Sequence, residues 1–98
     1  DSDDSPFGDA VEIPIEDAID LHLFSPRDVK IVVLEYLEQA AAKGFDEVRI
    51  IHGRGIGGRR RQVQDLLRDH PAVAQFRDAP ADRGGWGATI VWLKKPPE

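Results

Sequence analysis

Cysteine is absent from this 98-residue chain, which removes disulfides, thiolate zinc sites and cysteine nucleophiles together. Methionine is absent too, so Asp1 is not the expected native start. No stretch comes near the ~20 apolar residues of a membrane span, and the acidic beginning is the opposite of a signal peptide. The expectation is a soluble, cytoplasmic protein with no membrane partner. Size is limiting as well: a chain this short has room for one domain and one modest core, without an elaborate cleft around a large substrate; a monomer is the expected state.

Bases are missing from one end and acids from the middle. Residues 1–20 hold eight acids and no Lys or Arg, while residues 21–98 hold thirteen bases against ten acids, a net +3 inside a chain of formal charge −5. Between residues 49 and 61 there are five arginines (Arg49, Arg54, Arg59, Arg60, Arg61), one histidine and no acid. Screening over ~10 Å lets such a local patch act on a polyanion despite the negative sum.

The acid-free run begins in a short apolar segment, Val48-Arg49-Ile50-Ile51, passes His52 and enters Gly53-Arg54-Gly55-Ile56-Gly57-Gly58 before a polar helix. Strand, glycine loop and helix in this order suit an anion, because glycines admit close backbone approach and the first N–H groups of a helix carry partial positive charge. A steric need for glycine in a tight βα turn, with arginines on a solvated face, accounts for the same residues.

In chain order, residues 1–10 read as a disordered acidic lead, residues 11–95 as a single domain, and residues 96–98 as a tail. Residues 11–15 alternate as an extended segment that Pro14 confines to an edge. Ala18–Leu23 is the expected first strand, placing Asp20 and His22 on one face and Ile19, Leu21 and Leu23 on the other. Ser25, Pro26 and Asp28 form a helix start with a capping box. The helix then carries Val29, Val32, Val33, Tyr36, Leu37 and Ala40 as an apolar stripe to Lys43, with Gly44 and Phe45 as its stop. Ile31 and Leu34 lie off that stripe. A shorter helix through Gln62–Asp69 presents Val63, Leu66 and Leu67, and Pro71 leaves His70 in a turn. Strands over Ala72–Ala79 and Gly87–Leu93 complete a βαβαββ order. Its two βα units imply right-handed crossovers, a terminal hairpin, and both helices on one face of a four-stranded mixed sheet.

Three segments in order then resemble the Smr (small MutS-related) domain family: Ile19-Asp20-Leu21-His22 is similar to its L-D-x-H box, His52-Gly53-Arg54-Gly55 to H-G-x-G, and Gly84-Gly85-Trp86-Gly87-Ala88-Thr89 to G-G-x-G-A-T. The resemblance spans about residues 16–94. It implies an α/β two-layer sandwich similar to the C-terminal domain of translation initiation factor three, a nucleic-acid partner with DNA ahead of RNA, and DNA nicking linked to repair or recombination. A non-catalytic nucleic-acid or ribosome-binding module uses the same arginines. Two positions depart from the pattern: Leu23 follows the first box where glycine is usual, and Arg59 stands where leucine often opens the helix. The first bears on the close approach of a substrate, and so on catalysis more than binding.

The candidate chemistry follows from these residues. His22 or His52 would serve as general base, Asp20 as orienter of an imidazole or ligand of a divalent metal, magnesium or manganese. Arg54 and the loop (Gly53, Gly55, Gly57), with Arg59, Arg60 and Arg61, would hold phosphate, and Trp86 would stack on a base or fill the end of the core. One carboxylate is few ligands for magnesium, so no cofactor is assigned. Gly53, Gly55 and Gly58 also satisfy G-x-G-x-x-G with Asp78 twenty residues on, but a dinucleotide fingerprint belongs to the first βα turn, not the second.

Overall fold

The computed structural model describes residues 15–54 and 58–94. The lead over 1–10, the extended segment over 11–14, Gly55, Gly57 and the tail over 96–98 lie outside the described residues. Strand β1 spans Ala18–Asp20, helix α1 Val29–Ala42, β2 Glu47–Ile51, α2 Gly58–Asp69, β3 Val73–Asp78 and β4 Ala88–Leu93. The sheet order is β1-β2-β4-β3, with β1 parallel to β2 and β4 antiparallel to both neighbours. The expected hairpin is therefore β3–β4, and β4 fills the gap that the second crossover leaves beside β2.

Period-two alternation sorts the sheet into a helix-covered face and an open one. Ile19, Val48, Ile50, Val91 and Leu93 enter one core with Val29, Val32, Val33, Tyr36, Leu37 and Ala40 of α1 and Val63 and Leu67 of α2. Both helices thus cover one face, as their apolar stripes require. The other face carries a smaller cluster of Ala79, Ala88 and Ile90 with Ile51 and Trp92 at its margin. Helix α1 ends in a Schellman pattern: the Phe45 N–H donates to the Ala40 carbonyl (3.1 Å) and the Gly44 N–H to the Ala41 carbonyl (3.0 Å), while Phe45 packs on the core. Among the described residues no helix is long and apolar enough to cross a membrane.

Two local expectations need correction. The first strand stops at Asp20, because the Asp20 carboxylate accepts the His22 N–H at 2.9 Å and turns Leu21–Leu23 into a 3-10 turn. Leu21 stays fully buried but Leu23 is 72% exposed instead of sharing its face. Before α1, Pro26–Asp28 is likewise a 3-10 turn, and neither Ser25 nor Asp28 makes a side-chain capping bond; the Asp28 N–H donates to the Ser25 carbonyl instead. The helix after the glycine loop begins at Gly58, directly after the loop as the sequence suggested, and Arg59, Arg60 and Arg61 occupy its first turn. His70 does sit in a turn, its Nδ1 accepting the Ala72 N–H at 3.0 Å.

Fully buried Tyr36 ties the entry segment to α1 by donating its hydroxyl to the Glu16 carbonyl. Burial first, then the charges of Asp17 and Glu16, push its phenol up, so it remains a donor at any ordinary pH. Tyr36→Phe should destabilise the domain by about 1 kcal/mol, lowering Tm by several degrees in thermal unfolding.

Candidate functional site

Two backbone bonds assemble the site. The Gly87 carbonyl accepts the N–H of His52 (3.1 Å) and of Gly53 (2.8 Å), which fastens the loop leaving β2 to the turn entering β4. Parallel pairing of β1 with β2 aligns Asp20 with Ile51, so the turn carrying His22 lands beside the same loop.

The first half of the site is an Asp–His pair. Asp20 Oδ1 accepts both the His22 N–H and His22 Nδ1–H, the latter at 2.7 Å. The His22 backbone bond is the main reason the Asp20 carboxyl lies below its ordinary value, opposed by slight burial and helped by the His22 ring. With Nδ1 held by the carboxylate, Nε2 is left with its lone pair free. The ring lies directly on Gly53: a methyl placed there would stand 2.7 Å from His22 Nε2, and Gly53 also has φ +86°. Only glycine fits that position on both counts.

Arg54 supplies the second half. Its side chain crosses the closing turn, so that a methyl on Gly87 would meet Arg54 Cγ at 3.0 Å and one on Gly85 would meet Nη2 at 2.9 Å. The glycines of that turn form a trough for the arginine. Arg54 is exposed and makes no ion pair or hydrogen bond among the described residues. Beside it Trp86 is 50% exposed, not core, with the Arg60 guanidinium 5.9 Å from its ring centroid.

His52 occupies a different environment. It is 3% exposed and follows Ile50 on the helix-covered face. Its Nδ1 lies 3.1 Å from the Gly53 carbonyl, which can only accept, so Nδ1 carries the proton and Nε2 accepts from the Thr89 hydroxyl at 2.9 Å. Gln64 Nε2 then donates to Thr89 Oγ1 (3.2 Å) and to Asp78 Oδ1 (3.1 Å), and Arg60 grips Asp78 through Nε (2.9 Å) and Nη2 (2.8 Å). Arg60 chiefly, and Gln64 to a lesser degree, hold the Asp78 carboxyl below its ordinary value against slight burial. Asp78 is thereby engaged by Arg60 rather than left to a ribose.

The structure therefore brings Asp20, His22, Gly53, Arg54 and Trp86 to one surface and sets His52 beneath it. Arg59 stands half-buried at the start of α2 with no bond or ion pair among the described residues, and Arg61 lines an open groove of about 310 Å³ with Arg60, Gln64, Asp65 and Arg68. Asp20 is a single carboxylate with one oxygen already engaged, and no group of three His, Cys, Asp or Glu converges among the described residues. That donor set does not fit a magnesium or manganese ion, which takes several oxygen ligands. Thr89, Gln64 and Asp78 are site residues that motif reading left without roles.

Burial lowers the His52 pKa from 6.5, countered in part by the Gly53 carbonyl, with Arg60 and Arg59 lowering it further and Asp78 opposing. Below pH 6.5 the unfolded chain takes up a proton that the folded one refuses, so stability is complete above that pH and is lost as pH falls toward the folded value. Denaturant melts should show ΔG dropping below pH 6.5 by at most about 1.4 kcal/mol per unit, and His52→Gln should flatten that slope.

Comparison with known proteins bears on the family and the fold. The Smr domain model matches residues 19–94. The chain is 50% identical over 62 residues to an Endonuclease MutS2 of Solidesulfovibrio magneticus, covering 63% of this chain and 8% of that protein. It is 41% identical over 76 residues to an Endonuclease MutS2 of Carboxydothermus hydrogenoformans, covering 78% and 10%. It thus spans about a tenth of the length of these curated relatives. The crystal structure of the Smr domain of Thermus thermophilus MutS2 superposes with TM-score 0.75 at 34% identity, covering 81% of this chain and 99% of that one. YdaL, a stand-alone small MutS-related protein from Escherichia coli, gives 0.70 at 27% identity, covering 84% and 67%.

Proposed function

This chain belongs to the Smr domain family, and from that premise we propose that it binds nucleic acid, DNA ahead of RNA, at the Gly53–Arg54 loop and nicks one strand there. The observation that carries the reading is the Asp20–His22 pair lying on Gly53 beside Arg54, which is unpaired among the described residues. The name Endonuclease MutS2 borne by its relatives supports it.

The chemistry asked of these residues is modest. A phosphate sits on the loop with its non-bridging oxygens toward the Arg54 guanidinium, which neutralises the charge that grows in the phosphorane. His22 Nε2 takes the proton of a water as its oxygen attacks phosphorus, the P–O bond to one sugar breaks, and that oxygen takes up a proton. Asp20 holds the Nδ1–H tautomer that makes Nε2 the base. His52 acts at one remove, its ring donating to the Gly53 carbonyl from below while its N–H fastens the loop to the Gly87 carbonyl. Trp86 offers a face to an unpaired base next to the cut.

A binding module without catalysis is the second reading. One observation favours it: of the two histidines in the motifs only His22 faces solvent, so no second imidazole is ready to protonate the leaving oxygen.

Salt dependence and rate separate the parts. Arg54→Ala should reduce the slope of log K against log salt on duplex DNA by about one, because one phosphate contact is lost, whereas Arg60→Ala should change it less since Asp78 already offsets that charge. His22→Ala should leave affinity nearly intact while lowering conversion of supercoiled plasmid to open circle by roughly 10²- to 10⁴-fold. If wild type and His22→Ala yield the same trace of open circle, with magnesium or manganese and without either, the binding-module reading replaces the nickase.

A further inference from the structure

The sheet face away from the helices carries an assembly that the loop chemistry does not use. Ile90 and Trp92 of β4 point to that face; the register sets Arg49 and Arg77 on either side of Ile90, and Glu47 and Gln75 on either side of Trp92. Arg49 is anchored, its Nη1 donating to the Arg83 carbonyl at 3.1 Å, and Arg83 pairs with Glu47 at 3.0 Å. Arg77 is different. It is exposed, lies over the Trp92 ring at 5.3 Å from the centroid, and has no ion pair or hydrogen bond among the described residues. Three arginines thus converge on this face against two acids, Glu47, which is paired with Arg83, and Asp20 at the edge strand, which is engaged by His22. Ile90 beneath them is only 2% exposed.

A sheet face left to water needs polar cover, but any mixture of charged and neutral side chains would supply that. Arginines of one sign over an aromatic floor supply more: fixed positive charge for phosphates, and a guanidinium plane backed by an indole on which a base can stack. Only unpaired bases can use such a platform, since a duplex keeps its base faces inside the stack and would gain from the charge alone. We infer that the open sheet face is a second contact surface for single-stranded nucleic acid, with one base stacked on the Arg77–Trp92 pair. It goes beyond the loop site and is displaced from it along the sheet, because Trp92 pairs with Glu47 at the start of β2 whereas Asp20 of the loop site pairs with Ile51 at its end.

The test uses the full chain with Trp86→Phe, which leaves Trp92 as the remaining one of its two tryptophans. It is titrated with oligothymidylate and oligouridylate of about twelve nucleotides, within the range one small fold covers, and with a hairpin duplex of similar length. Trp92 emission should be quenched saturably by at least one of the single strands and not by the duplex. Quenching by one strand alone identifies the sugar preferred. Adding Arg77→Ala should abolish the quench and weaken single-strand affinity at least about fivefold, the loss expected for one base stack. Adding Arg54→Ala instead should leave the quench in place. The inference is overturned if Trp92 stays silent, if duplex quenches it equally, or if Arg77→Ala changes neither reading. A silent Trp92 with Arg54-dependent affinity sinks this surface alone, and a quenched Trp92 with Arg54-independent affinity sinks the loop reading alone.

Discussion

One carbonyl oxygen holds the site together. Gly87 accepts two N–H donors, from His52 and Gly53, and so joins two segments thirty-five residues apart in the chain. Without that junction the glycine trough of the closing turn would not lie under Arg54, and Gly53 would not be fixed where the His22 ring rests on it. Each of the three sequence motifs gives one part of this junction. The first brings the Asp–His pair, the second the donors and the arginine, the third the acceptor and the trough. A bond between backbone groups suits the task, because it fixes position without placing a charge where the proposed phosphate would bind.

His52 shows what such a junction costs. An imidazole in the core must have its ring nitrogens satisfied, or burial is strongly unfavourable. Here one nitrogen donates to Gly53 and the other accepts from Thr89, whose own lone pair is satisfied by Gln64. The chain of bonds continues through Asp78 to Arg60 and ends over Trp86. A polar network of this kind rigidifies when complete and is costly when broken. The neutral ring is therefore part of the frame that carries Gly53 and Arg54.

Much of this was legible in the chain. The six-residue stripe of α1 and the alternation of β2 and β4 specify which face each element buries, and the Smr motifs bring the right loops together. Alternation alone could also have placed His52: it follows Val48 and Ile50 at the same parity, and Thr89 precedes Val91 and Leu93 at theirs, so two polar residues on core faces of neighbouring strands call for each other. What could not be read was local competition for hydrogen bonds. Whether β1 continues to Leu23 depends on whether the His22 N–H goes to a neighbouring strand or to the Asp20 carboxylate. The carboxylate wins, being both local and charged. Likewise Ser25 and Asp28 spell a capping box, yet a 3-10 turn begins there and backbone bonding meets the need. The ion pair of Arg60 with Asp78 links residues eighteen apart and has no signature in either segment.

That ion pair also explains why the arginines of the acid-free run are not equivalent. Arg60 faces a carboxylate held by Gln64, so it reaches the surface with its charge largely offset. Arg54 is held by shape: its stem fits against Gly87 and its guanidinium against Gly85, neither of which has a side chain that could pair with it. An arginine fixed by an acid gives up the charge that a phosphate would use, whereas one fixed by a glycine trough keeps both its charge and its bidentate fork. Glycine in the closing turn thus serves the loop opposite as much as its own backbone. For the same reason a chain of formal charge −5 can present a cationic site. The sign of the field at a contact is decided by which cations lack a partner within a few ångströms, since charges farther away than the screening length of ~10 Å contribute little.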